Sequence, residues 1–228
     1  MATKVLAATY AAVGGPKDPK MAADGFMAGP TDPGRYRVAY YGRHSSIRYP
    51  GFSTFLWGSP VKEEGGKVLV MHRGEWTNVE KYGLNRAQIV EFCDFLYGIA
   101  KVPKKWVFNS FGHLTCYLYR DLNNNGRMDG KEKIHGELIH TTPENEADDW
   151  LGMQVDLGDS HGCIHVKPAD IDDMINRKFL KKGALVVVHR YDEARIPYAK
   201  PKISHAAPYE VHFYPGMRQI CAVGIERI

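Results

Sequence analysis

Cysteine is scarce in this chain and follows no pattern. Four cysteines occur in 228 residues, at 93, 116, 163 and 221. None stand at the short paired spacing of a disulfide scaffold or a zinc ribbon, so free thiols are expected. Long apolar runs are missing as well, which excludes a bilayer-spanning helix. Repeats and low-complexity tracts are absent, so nothing points to a solenoid or an array. Charge is not one-sided: 30 Lys and Arg stand against 26 Asp and Glu, a net of +4. That balance suits a mildly anionic polymer surface and does not call for nucleic acid. What remains is an ordinary globular composition, 44% hydrophobic and 25% charged, long enough for a sizeable core.

The first thirty residues are rich in Gly, Pro and Ala and read as a loose lead-in or an early hairpin. Within them MATKVLAATYAAVGG carries one lysine and a short apolar run, a weak export signal without a clean cleavage site. Residues 1–24 are taken as the lead-in. PTDPGRYRVAYYG and KVLVMHRG read as strands after turn signals. LNRAQIVEFCDFLYGIA reads as a helix capped by Asn85 and stopped at Gly98, with Ile89, Phe92, Cys93 and Leu96 on one face. Cys93 is therefore expected in the core. HLTCYLYRD, EKIHGELIHT, GCIHV and ALVVVHRY read as strands, and DIDDMINRKFLKKG as a short helix closed by Gly183. YEVHFYPGMRQICAVGIERI reads as a terminal hairpin around Pro215-Gly216, within an extension at 191–228. The sum is a mostly-β single domain with about two helices.

The stretch that bears chemistry is GDSHGCIHVKP, 158–168. If it is extended throughout, His161, Cys163 and His165 share one face. Gly162 permits a turn beside the cysteine, and a turn leaves main-chain amides near the sulfur, where they can stabilise an oxyanion. A cysteine of ordinary pKa, about 8.5, is only a few per cent ionised at neutrality. A histidine in reach takes its proton and later returns it to the leaving amine. His161, His165, His135 and His140 all qualify by residue type. His135 and His140 are an odd number apart, so on a regular strand only one of them faces the cysteine.

Ser160-His161-Gly162-Cys163-Ile164 resembles the signature of the L,D-transpeptidase catalytic-domain family, which cross-links bacterial cell walls. From His140 to Ser160 there are nineteen intervening residues, which fits the family's spacing at its upper limit; the twenty-four from His135 do not fit. The resemblance implies a β-sandwich-like catalytic fold over residues 25–190, with an insertion at about 60–130. It implies Cys163 as nucleophile, His140 as general base, His161 as a supporting residue, and amides around Gly162 and Cys163 as the oxyanion hole. Ser160, Thr141 and His165 would border the substrate. Two positions depart from the family: Thr141 stands where glycine is usual, and His165 where Arg or Asn is usual.

The implied reaction is acyl transfer on peptidoglycan stem peptides through a thioester, ending in cross-linking, D-amino-acid exchange or carboxypeptidase cleavage. The chemistry needs no cofactor, and the protein would act in the periplasm or cell wall. The weak export signal leaves room for a secreted antibacterial effector with a secretion-system or immunity partner. Two other readings stand beside this one. In one, His161, Cys163, His165 and His140 form a tetrahedral metal site. In the other, the protein binds cell wall without catalysis.

DLNNNGRMDGKE, 121–132, matches the twelve-residue calcium loop. Asp121, Asn123, Asn125, Asp129 and Glu132 occupy positions one, three, five, nine and twelve; Gly126 holds the turn, and Arg127 offers its carbonyl. The flanks read as strands rather than helices. A structural calcium ion is the expectation, against a polar hairpin tip built of common turn residues.

Overall fold

Alternating apolar residues emerge as strands in the computed structural model, which describes residues 2–22, 24–47, 51–199 and 209–227. The strands are β1 (Ala2–Val13), β2 (Lys20–Met21), β3 (Met27–Ala28), β4 (Gly34–Gly42), β5 (Val61–Glu64), β6 (Lys67–His72), β7 (Glu75–Asn78), β8 (Thr115–Tyr119), β9 (Ile134–His140), β10 (Ile164–Val166), β11 (Leu185–Val188), β12 (Tyr209–Tyr214) and β13 (Gln219–Arg227). Three α-helices lie among the described residues: α1 (Arg86–Tyr97), α2 (Pro143–Trp150) and α3 (Pro168–Asn176). The mostly-β expectation holds. The chain divides into two compact units, one of Met1–Tyr41, Cys116–His140 and Leu157–Ile228, the other of Gly42–Thr115 and Thr141–Asp156.

In the first unit eight strands close into a barrel in the order β1-β10-β9-β8-β4-β11-β12-β13. β9 and β10 run parallel, as do β11 and β12, whereas β1 is antiparallel to both β10 and β13. Period-two alternation decides which residues enter the core. Ile164 and Val166 of β10 are fully buried while His165 between them is not. Val186 of β11 and Val211 of β12 are buried in the same way. Each such side chain contributes roughly 1.5–3 kcal/mol through removal of its apolar surface from water. β12 and β13 form a hairpin across the Pro215–Met217 turn and join β11 to β1.

The start of the chain corrects the lead-in reading. Residues 2–13 are a barrel strand, paired with β13 along most of their length and with β10 at the end. Val5 and Ala12 are fully buried. Alanine is a poor strand former in isolation, but pairing on both edges overrides that preference. The α3 segment is corrected too: its helix stops at Asn176, before Gly183. Lys178 takes a left-handed conformation (φ 62°), and the chain then turns inward to bury Phe179 and Leu180.

The second unit holds the antiparallel meander β5–β6–β7, with α1 and α2. Phe55, Val70, Ile89, Trp106 and Phe108 form its fully buried core. Asn85 caps α1 in a reciprocal arrangement with Gln88, and Gly98 ends it in the left-handed region (φ 64°). Cys93 is buried there as expected. α2 was not foreseen, because PENEADDW has too few apolar positions to show a periodic stripe. Its start is nevertheless marked locally: Thr142 caps it and Pro143 opens it. Parallel β9 and β10 need a long crossover, and the connection from 141 to 163 supplies it.

Candidate active site

β9 and β10 align with Ile139 opposite Ile164 and His140 opposite His165. Both isoleucines are fully buried, so the two histidines occupy the other face of the ladder. Their rings meet edge to face, with centroids 4.9 Å apart at 74°. Cys163 precedes β10 by one residue, in a bend. A strand spacing of about 4.8 Å and a rise of about 3.3 Å per residue put the Cα atoms of His140 and Cys163 roughly 8 Å apart on a diagonal. The register sets His140 and Cys163 toward the same face of neighbouring strands. The Cys163 sulfur lies 3.9 Å from the Gly136 carbonyl oxygen on β9. Cys163 is half-buried, while Cys93, Cys116 and Cys221 are buried.

The bend is built by its neighbours. Gly162 has φ +135°, in the region that favours glycine. Its N–H donates to the Ser160 hydroxyl oxygen at 3.0 Å, and that hydroxyl donates in turn to the Cys163 carbonyl. Ser160 is 2% exposed and its own N–H donates to the Gly14 carbonyl at 3.1 Å. The family-implied substrate-bordering serine is thus a brace inside the turn. Beneath it, Gly15 admits no side chain: a Cβ there would lie 1.7 Å from the Gly29 oxygen and 3.1 Å from the Gly162 nitrogen. Gly15 N–H donates to Thr31 Oγ1 at 3.0 Å, and Tyr191 donates its hydroxyl to the Gly15 carbonyl at 2.6 Å. The Cys163 turn rests on backbone held from both sides.

The remaining site candidates fall in different places. His161 is about half exposed and its Nε2 faces Asp24 at 3.2 Å, so its ring is engaged at the surface. His165 bonds through Nδ1 to the Gly158 carbonyl at 3.0 Å. A carbonyl only accepts, so Nδ1 carries the proton and Nε2 keeps its lone pair. Thr141 is fully buried and donates to Glu146, which also accepts from His113 N–H at 2.9 Å. His135 packs against Tyr36, ring centroids 5.0 Å apart, and lies 3.8 Å from both Asp32 and Glu137. It belongs to the other face of β9 from His140, as the odd spacing requires.

Electrostatics favour a neutral thiol at rest. Burial pushes the Cys163 thiol up to about 11; the nearby Leu138 N–H opposes this and the Glu137 charge adds to it. Burial also holds the His165 imidazole below its usual range. Glu137 is pushed up to about 7, again chiefly by burial. Its Oε1 accepts from Asp32 N–H at 2.7 Å while Oε2 is buried without a hydrogen-bond partner. Asp32 in turn takes the Arg120 guanidinium, which also donates to the Tyr36 hydroxyl at 3.0 Å. Sequence reasoning missed this charged group near the Cys163 turn. The available signal was an acidic residue in phase with the buried Ile139 of β9, Glu137.

A metal reading of the cysteine cluster finds no support: among the described residues no group of three or more His, Cys, Asp or Glu is placed to hold a metal. The 121–132 loop joins β8 to β9 as a strand-flanked tip. Asp121 Oδ2 accepts from Gly126 N–H at 3.0 Å, Asn123 and Asn125 donate to Asp129, and Glu132 accepts from Leu122 and Asp129 N–H.

The site thus sets a half-buried cysteine at a glycine turn, with the His140 imidazole on the adjoining strand. A profile of the L,D-transpeptidase catalytic domain (YkuD) matches residues 2–188, and the chain belongs to that family. Its activity is accordingly of the L,D-transpeptidase type on peptidoglycan, a polymer of the cell wall and periplasm. No curated protein and no solved structure matches the chain. No helix among the described residues is long and apolar enough to cross a membrane.

Proposed function

We propose that Cys163 is the nucleophile of an acyl transfer on peptidoglycan stem peptides, with His140 as its proton acceptor. The observation that carries this is the half-buried Cys163, held at the Gly162 turn beside the strand whose His140 lies in register with His165. The thiol proton passes to the imidazole as sulfur attacks the carbonyl of the peptide bond before the terminal D-amino acid. The C–N bond breaks, the imidazolium returns its proton to the leaving amine, and a thioester remains. An incoming amine then attacks the thioester, loses its proton to the imidazole, and the thiol re-forms. A stem-peptide amine makes a cross-link, a free D-amino acid makes an exchange product, and water makes a carboxypeptidase.

Gly162 N–H is held by Ser160, so its contribution is to shape the turn. Cys163 N–H is the donor we assign to the developing oxyanion. His165, kept neutral by burial and fixed in one tautomer by Gly158, accommodates a charged His140 ring without adding a second positive charge. Tetrapeptide muropeptide with and without added D-amino acid, analysed by chromatography and mass spectrometry, tests the proposal. Release of the terminal D-amino acid should need both Cys163 and His140. Undiminished release by Cys163→Ala would overturn it.

A further inference from the structure

We infer that the 121–132 loop is a calcium site, a strand-flanked counterpart of the helix-flanked loop. The inference is independent of the transpeptidase reading. The sequence places oxygen-bearing side chains at loop positions one, three, five, nine and twelve and glycine at six. The three carboxylates alone do not gather as a cation site. A loop of this type does not ask them to, because amide and main-chain oxygens supply the other ligands.

The independent observation is Asp121. Its side chain is 6% exposed. Arg37 Nε, at 2.7 Å, and Gly126 N–H, at 3.0 Å, both donate to Oδ2, so the carboxylate reaches into the loop. Its other oxygen, Oδ1, is buried and has no hydrogen-bond partner. A buried carboxylate oxygen left without a donor is costly, and a hard cation satisfies it. Asp129 and Glu132 complete the charge: Asp129 accepts from the Asn123 and Asn125 amides, at 3.1 and 2.7 Å, and Glu132 accepts from Leu122 N–H at 2.7 Å. Gly126 is in the left-handed region (φ 73°), where position six must turn.

Arg37, Arg127 and Lys131 oppose the three carboxylates. The affinity should therefore fall in the weak class of such loops, a Kd of about 0.1–1 mM. The ion would tie the end of β8 to the start of β9, the strand that carries His140.

Calorimetric titration of the whole chain with calcium chloride is the test, with thermal unfolding as a second readout. One ion per chain is expected. At 10 mM calcium, about 10 to 100 times the Kd, the unfolding temperature should rise by roughly 3–10 °C. Glu132→Gln and Asp129→Asn, each checked for a native circular dichroism spectrum, should weaken binding at least tenfold. The absence of both heat and thermal shift up to 10 mM would overturn the inference. So would unchanged binding by both variants, or an equal shift with magnesium chloride, which would mark a general ionic effect.

Discussion

Alkylation of Cys163 by iodoacetamide tests the neutral resting thiol. Burial pushes this thiol up to about 11, so at pH 7 about one molecule in 10⁴ carries the thiolate, against about 3% for an ordinary thiol of pKa about 8.5. The population deficit is about 300-fold. A thiolate of higher pKa is intrinsically more nucleophilic, with a Brønsted slope of about 0.4–0.5, which recovers roughly a factor of ten. Labelling at pH 7 should therefore run about 30-fold slower than for free cysteine and climb nearly tenfold per pH unit to pH 9. Peptide mapping by mass spectrometry reads it cleanly, because the other three cysteines are buried. A rate at or above that of free cysteine, flat from pH 6 to 9, would reveal a preformed thiolate–imidazolium pair and refute the reasoning.

Glu137 should impose a pH slope on stability. Folding lifts its carboxyl from an ordinary 4.5 to about 7, so the folded chain keeps a proton that the unfolded chain loses. The associated stability is complete below about pH 4.5 and falls by up to about 3 kcal/mol as pH rises through 7. Denaturant titrations at pH 5 and 8 should show that slope, and Glu137→Gln should flatten it; an unchanged slope in the variant removes the assignment. Gly162→Ala should strain the turn by about 1–3 kcal/mol and lower activity. The nearest atoms to the added methyl are 3.8 Å away, so the cause is backbone conformation rather than collision. Gly15→Ala collides with the Gly29 carbonyl and should destabilise more; equal melting temperatures for the two variants would contradict the distinction. His140→Gln should reduce turnover about 10²–10⁴-fold, whereas His161→Gln, whose ring faces Asp24, should cost less than about tenfold. Equal losses would bring His161 back into the reaction.

Much of the fold was legible where periodicity was strong. α1 followed from its apolar stripe, its Asn85 cap and its Gly98 stop, and β6, β8, β9, β10 and β11 from short alternating runs between turn residues. β1 was missed because an Ala- and Thr-rich segment has little strand character until both neighbours pair with it. α2 was missed because its acidic residues hide a buried side made only of Pro143, Asn145 and Ala147. In the site, the Gly162 turn could be argued from residue type and the opposite facing of His135 and His140 from alternation, whereas the preference for His140 came from the family resemblance. Ser160's inward hydroxyl, the outward turn of His161 and the Arg120–Asp32–Glu137 group could not. They depend on strands distant in sequence coming together, Asp32 against Arg120 and Gly14 against Ser160.

Intact-protein mass spectrometry after incubation with a tetrapeptide muropeptide addresses the thioester itself. The account predicts a shift equal to the muropeptide minus its terminal D-amino acid on the parent protein, reversed by a thiol or amine acceptor, and no shift on Cys163→Ala. An adduct of the same mass on Cys163→Ala, or turnover by the parent with no adduct detectable under rapid quenching and no loss in the variant, would contradict it.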